Sequence, residues 1–352
     1  MDATPKGDVM TPRGVSKLLA QAMQLRSRPI LIAGAPGIGK SDVVVNAARA
    51  AENEVLIMHP VVSNPVDFKG LPAVVNGGAE FLPYGGLRRM IEADRPTVVF
   101  LDDIGQSPEA VQAAMMQLLL AREINGQKIS DHVAFVAATN RREDRAGVRG
   151  MIEPLKSRFI IVAMEADPSE WIEDYAQPHK VDPTLVAFVR LRPALLSAPR
   201  PSGDMTNSPS PRGWAEVSRW LKAGVDAELL SEVAAGCVGE SAANEFLQFR
   251  DLVTQMPDPR KVWADPANAP VPSDPSVLYA LIGALGDMAA KAGPTNAAPI
   301  VIAFTHRLAG ARQEEMAVLF FQDCARLVSG LDQQPAVIAE MASSGIIGRL
   351  LD

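Results

Sequence analysis

The chain has 352 residues, 47% of them hydrophobic and 21% charged, which supplies a buried core for two or three domains. A formal net charge of −7 and an aromatic content of only 5% weigh against a protein built to grip nucleic-acid phosphates or to stack single-stranded bases. The two cysteines, Cys237 and Cys324, are too few and too far apart for a disulfide framework or a C-x-x-C pair and point to a reducing, cytoplasmic setting. Met1–Arg13 lacks the apolar core of a signal peptide, and no apolar run approaches a membrane span. His59, His132, His179 and His306 are scattered without metal-ligand spacing and read as structural or surface residues.

Strand and helix signals alternate over residues 13–163. Residues 14–25 carry apolar positions Val15, Leu18, Leu19, Ala22 and Met23 at helical spacing. Residues 29–33 (PILIA) form a short apolar run of the kind found in buried parallel strands, and 41–50 then read as a helix. Further strands are expected at 54–59, 98–101, 133–138 and 159–163. Ser107-Pro108-Glu109 predicts an N-cap, a first-turn proline and an acidic first turn for a helix reaching about Ala121, whose Met115, Met116 and Leu118–Leu120 read as core. Asn76-Gly77 and Asn125-Gly126 predict hairpins over 71–81 and 122–129. Strands alternating with helices predict a parallel sheet with helices on both faces.

Beyond residue 167 the pattern becomes helical. Helices are expected at 168–176, 182–191, 214–222, 227–238 and 241–256, with a Pro/Ser/Gly-rich loop over 193–213. Prolines at 257, 259, 266, 270, 272 and 275 predict a linker, and 276–352 read as wholly helical. The expected domains are thus 1–166, 167–256 and 276–352, with a Pro-rich linker at 257–275. No internal repeat is visible.

The segment Gly34-Ala35-Pro36-Gly37-Ile38-Gly39-Lys40-Ser41 fits the P-loop pattern G-x-x-x-x-G-K-[ST]. Its glycines let backbone N–H groups turn onto phosphate oxygens, and the helix that follows adds positive potential. Lys40 would reach the β- and γ-phosphates of ATP, and the Ser41 hydroxyl would ligate Mg²⁺. About 60 residues on, VVFL-Asp102-Asp103 is a buried strand delivering carboxylates at its C-terminal end, a Walker B pattern. Asp102 would hold Mg²⁺ through water and Asp103 would polarise the attacking water. Residues 135–140 (FVAATN) end a strand on the amide of Asn140, placed to hydrogen-bond that water or the γ-phosphate.

In this order the motifs resemble the AAA+ ATPases: an α/β P-loop module with helices on both faces of a parallel sheet, a helical lid (167–256) and here a helical C-terminal domain. The resemblance implies that Asn140 is sensor 1, that Arg158 in LKSRF (155–159) is the arginine finger, and that Arg212 in SPRGW (210–214) is sensor 2. Arg145 and Arg149 are weaker finger candidates, and Arg200 is the alternative sensor 2. Most relatives have Glu where this chain has Asp103, one methylene shorter. The pattern G…F-x-P-Y-G-x-L before Walker B (70–87) is similar to the MoxR-like branch, as are the second hairpin before sensor 1 and the segments 168–177 and 237–252. The resemblance covers about 13–256. It implies Mg²⁺-dependent ATP hydrolysis in a ring, a homo-hexamer by family habit, that remodels a protein client, often with a partner bearing a von Willebrand factor A domain. A DNA-associated AAA+ motor or loader and a slow, nucleotide-switched scaffold are the rival readings. His59 and Asp67 read as structural.

Overall fold

The computed structural model describes residues 9–25, 28–141, 144, 150–200, 204–253 and 256–342. The chain divides into two compact units, Met1–Trp171 with Ser197–Gly213, and Ile172–Leu196 with Trp214–Asp352.

The first unit runs α1 (Pro12–Leu25), β1 (Ile30–Ala33), α2 (Lys40–Ala50), β2 (Glu54–Met58), α3 (Val66–Lys69), a hairpin of β3 (Leu71–Val75) and β4 (Gly78–Leu82), α4 (Gly85–Glu92), β5 (Thr97–Leu101), α5 (Glu109–Ala121), a hairpin of β6 (Glu123–Ile124) and β7 (Gln127–Lys128), β8 (Val133–Thr139), α6 (Glu153–Lys156) and β9 (Ile160–Ala163). Its five-stranded sheet has the order β2-β5-β8-β1-β9, with every pairing parallel. Successive strand residues point to opposite faces, and the core divides accordingly. Ile30, Ile32, Val98, Phe100, Val136 and Ala138 join one cluster with Val15 and Leu19 of α1 and Val44 and Ala47 of α2. Leu31, Val99, Leu101, Phe135 and Ala137 join the other, with Phe68, Leu87, Met90, Met115 and Leu118 from α3, α4 and α5. This is why the strands read as unbroken apolar runs: both faces are covered.

All five sheet strands lie where the sequence places them, and both Asn-Gly hairpins form, with Asn76, Gly77, Asn125 and Gly126 at positive φ as a tight hairpin turn requires. The start of α5 differs. Pro108, not Ser107, occupies the cap, and its carbonyl accepts from the amides of Val111 and Gln112. The Ser107 hydroxyl instead donates to the Ile104 carbonyl at 2.6 Å, closing the turn before the helix. Met115, Leu118 and Leu119 are buried, Met116 is half-buried and Leu120 is exposed.

The second unit holds α8 (Pro183–Leu191), α10 (Ala227–Val238), α11 (Glu240–Val253), α12 (Pro259–Ala264), α13 (Pro275–Ala292), α14 (Pro294–Gly310), α15 (Glu314–Leu327) and α16 (Pro335–Ala342). α7 (Pro168–Glu170) is followed by a π-helical turn over Trp171–Ala176, and α9 (Pro211–Lys222) begins three residues before the expected Trp214. Residues expected to form lid and C-terminal domain lie together here, with α8 and α11 packed on α13 and Arg190 of α8 paired with Asp323 of α15. The segment 257–275 is not a linker. Asp258 and Asp274 cap α12 and α13 by accepting from the amides of Arg260 and Ser276, and Pro259 and Pro275 stand in the first turns. Proline there forfeits no helical bond and presets φ, so these prolines start helices. Val262 and Ala269 are buried in the same core as Leu281, Phe304 and Phe320.

Phe188 anchors the aromatic contacts of this unit, 5.4 Å from the rings of Trp214 and Phe246 and 5.6 Å from Phe249. We expect Phe188→Ala to cost about 3–5 kcal/mol of stability, read by chemical denaturation. A loss under about 1 kcal/mol would mean that the cluster is not a packed core. Among the described residues no helix is long and apolar enough to cross a membrane, and Cys237 and Cys324 are both free thiols.

Candidate nucleotide site

The carboxyl ends of β1, β5 and β8 meet at one edge of the sheet, and three motifs hang from them. After β1 the loop 34–39 turns into α2, whose cap residue is Gly39 in the left-handed region (φ 95°). A side chain at Gly34 is excluded for a different reason. A Cβ there would lie 2.6 Å from both the Ile38 Cδ1 and the Met164 carbonyl oxygen. The loop is therefore a close-packed backbone cradle, and no side chain caps the amides opening α2. Amides and helix dipole together favour an anion at that point.

Lys40 is buried, 7% exposed, and its ammonium donates to the Gly34 carbonyl at 2.8 Å, the Ala35 carbonyl at 2.9 Å and Asn140 Oδ1 at 2.7 Å. Burial lowers its pKa to about 8, while Asp103, Asp102 and Asp144 pull it upward and Arg212 adds to the lowering. Asn140, just past the end of β8, also donates from Nδ2 to Asp103 Oδ1 at 3.3 Å. The chain Lys40–Asn140–Asp103 thus ties the P-loop to Walker B. Beside it the Ser41 hydroxyl donates to Asp102 Oδ2 at 2.9 Å. Asp102 Oδ1 accepts from the amide of Asp103 at 3.1 Å, which turns the chain sharply after β5. Asp103 sits in the left-handed region, φ 56° and ψ 36°. Asp tolerates that conformation better than most side chains because it is short and polar. Burial and the neighbouring Asp102 raise the Asp103 pKa, against Lys40, a hydrogen bond from Gln106 and His59.

The donor set fits Mg²⁺·ATP: a glycine cradle, one buried ammonium, and a hydroxyl–carboxylate pair. Among the described residues no group of three His, Cys, Asp or Glu side chains forms a metal cage. Ser41 and Asp102, hydrogen-bonded to each other, are the residues that would hold such an ion, whose remaining oxygens would come from phosphate and water.

Arg212 belongs to this edge. Its amide donates to the Gly37 carbonyl at 3.2 Å, and its charge is felt at Lys40. Arg200 is instead exposed, its backbone bonded to Ser208 through both amide and carbonyl. Of the two, Arg212 is the one hydrogen-bonded to the P-loop. Arg158 lies elsewhere. It precedes β9, which runs parallel to β1, so it sits at the amino edge of the sheet, a strand length of roughly 13 Å from the P-loop edge. Its Nη1 donates to the carbonyl of Pro154 and to Ser157 Oγ. Arg145 and Arg149 lie outside the described residues.

Residues 29–159 match the AAA domain, dynein-related subfamily. The matched span contains the P-loop, Walker B and Asn140, and the match supports nucleotide-dependent ATPase chemistry at this edge. Among solved structures, the chain is similar to the RuvB Holliday junction branch migration motor of Thermotoga maritima, with 16% identity, a TM-score of 0.40, and coverage of 78% of this chain and 80% of that one. A mutant of the same motor gives 17% identity and a TM-score of 0.41 over the same shares. No curated protein matches the chain.

Residues that motif reading passes over also lie at this edge. Arg141, next to Asn140, grips Asp144 from Nε at 3.0 Å and Nη2 at 3.2 Å and reaches Glu165 at 3.3 Å. The Asp144 carboxylate is buried and raises the Lys40 pKa. In sequence these charges look like a solvated run. His59, read as structural, bears on Asp103 electrostatically. The available signal was its place one residue past β2, at the carboxyl edge. Asp67 is structural as read, accepting from the Tyr84 hydroxyl at 2.5 Å and the Asn64 amide at 2.7 Å.

Proposed function

We propose that the protein is a ring-forming, MoxR-like AAA+ ATPase that hydrolyses ATP with Mg²⁺ to remodel or activate a protein client, working with a partner that bears a von Willebrand factor A domain. The observation that carries the ATPase reading is the bonded chain Lys40–Asn140–Asp103 beside the Ser41–Asp102 pair. It brings an ammonium, an amide, two carboxylates and a hydroxyl to one edge, the groups that a phosphate countercharge, a water-orienting acid and a metal couple would need. Residues 34–41 would hold the phosphates, Arg212 would add charge from the start of α9, and Asp103 with Asn140 would orient the water. Mg²⁺, when bound, neutralises charge on the phosphate oxygens. Catalysis of this kind is positioning and electrostatics.

The hairpin β3–β4 before Walker B and the hairpin β6–β7 before sensor 1 support the MoxR-like branch. The place of Arg158 supports a ring. At the amino edge it serves a phosphate only if a second copy presents one. The net charge of −7 favours a protein client over nucleic acid.

The short acid bears on rate. Asp103 ends about 1.5 Å short of where Glu would reach, and a misplacement of about 1 Å can cost on the order of a hundredfold. The expected result is slow basal phosphate release at saturating Mg²⁺·ATP, and faster release from Asp103→Glu. The left-handed backbone makes Glu slightly less stable there without unfolding the site. A fast wild type that Asp103→Glu only slows would show a site tuned around Asp, and the slow-switch reading would fall.

A further inference from the structure

A polar side chain is sunk in the apolar face of α5. Gln112 has no exposed surface and lies among the buried Val111, Ala114 and Met115. A buried carboxamide is costly unless its donors and its acceptor are met. Here they are met by backbone alone. Nε2 donates to the Ser107 carbonyl at 3.1 Å and to the Gly150 carbonyl at 2.9 Å, and Oε1 accepts from the Ile152 amide at 2.9 Å. An apolar side chain of the same shape would pack in this place, so the bonds are what glutamine adds.

The partners of Gln112 belong to two segments. Ser107 closes the turn that starts at Asp103: the Gln106 amide donates to the Asp103 carbonyl at 3.0 Å, and the Ser107 amide and hydroxyl both donate to the Ile104 carbonyl, at 3.2 and 2.6 Å. Gly150 and Ile152 lead into α6. The Ile152 carbonyl accepts from the Leu155 and Lys156 amides at 3.0 and 3.1 Å, and the Pro154 carbonyl accepts from Arg158 Nη1. Leu155 is buried and holds the far end of α6 by apolar packing, which is not directional. The bonds of Gln112 are directional and fix where α6 begins. We propose that Gln112 is a positioning residue for turnover: it holds the segment that carries Arg158 in register with the Walker B turn of the same chain. The inference rests on the ring reading given above and adds a residue that touches no nucleotide.

The test is phosphate release at saturating Mg²⁺·ATP beside titration of a fluorescent ATP analogue, in the full-length protein. Gln112→Met keeps the volume and loses the bonds. Gln112→Glu keeps the acceptor for the Ile152 amide and loses the donors. Each should leave analogue affinity within about twofold and lower kcat on the order of tenfold, a smaller loss than at Arg158 because Leu155 still anchors α6. General loosening could also slow turnover, so mixing decides. A Gln112→Met subunit keeps Lys40, Asn140 and Asp103 but offers a misplaced arginine. Mixed equally with Asp103→Asn subunits, which keep Arg158 in place, activity should rise severalfold above the mean of the two parents. Mixed with Arg158→Ala subunits it should stay at that mean, because neither kind offers a well-placed arginine. The reverse pattern would assign Gln112 to its own Walker B turn and overturn the inference. No gain in either mixture, or wild-type kcat in both variants, would also overturn it. The ring reading is judged separately, by Arg158→Ala mixed with Asp103→Asn: recovery there, with none for Gln112→Met, leaves that reading standing. If neither Gln112 variant binds the analogue, Gln112 serves folding alone and the inference falls.

Discussion

Lys40→Ala is expected to abolish tight ATP binding. The Lys40 ammonium is buried at the start of α2 and is the cation that joins the P-loop carbonyls to Asn140. Its removal deletes the main side-chain countercharge for the β- and γ-phosphates. It also leaves Asn140 Oδ1 without its lysine donor, so that Asn140 is free to turn away from Asp103. A loss of at least about a hundredfold in affinity, ~2.7 kcal/mol, follows from losing several charge-assisted hydrogen bonds in a desolvated site. Titration of a fluorescent ATP analogue measures it, with circular dichroism to show an unchanged fold. Unchanged affinity would remove the P-loop reading altogether.

Arg158→Ala is expected to spare binding and remove turnover. Among the described residues the Arg158 guanidinium hydrogen-bonds to the Pro154 carbonyl and Ser157, at the edge of the sheet away from Lys40. No contribution to ATP affinity within one subunit follows from that position. Contributed to a neighbour, a guanidinium on the transferring phosphoryl group is worth roughly a thousandfold or more in rate. The expected pattern is therefore an unchanged dissociation constant for the ATP analogue and a kcat reduced by about that factor. A matching loss of affinity would place Arg158 in its own chain's nucleotide contacts and contradict the assignment.

The sheet and the P-loop are legible in the sequence because their signals are local. Runs such as Val98–Leu101 need only be apolar, since both faces are covered, and the glycine spacing of 34–39 announces a backbone cradle. The Asn-Gly pairs likewise specify their turns alone. What was hidden depends on context. Prolines 259 and 275 look like a linker until Asp258 and Asp274 are seen to cap helices. Ser107 has the right chemistry for a cap, but the Ile104 carbonyl claims its hydroxyl. Asp144 and His59 act on the site through space, and nothing in their neighbours along the chain says so. The nearness of Arg212 to the P-loop also needed three dimensions, because Arg200 and Arg212 lie in one Pro-rich stretch and, among the described residues, it is Arg212 whose amide is bonded to Gly37.

Catalysis shared between subunits is tested most directly by mixing two inactive variants and measuring phosphate release at saturating Mg²⁺·ATP. Arg158→Ala subunits keep an intact Lys40–Asn140–Asp103 site, and Asp103→Asn subunits keep an intact Arg158. Each alone should be near background. Mixed in equal amounts, they form interfaces that carry both intact residues, and a fraction of wild-type activity should return. If the subunits assemble together and activity stays at background for every mixing ratio, Arg158 does not act on a neighbour's nucleotide, and the ring ATPase proposed here is wrong.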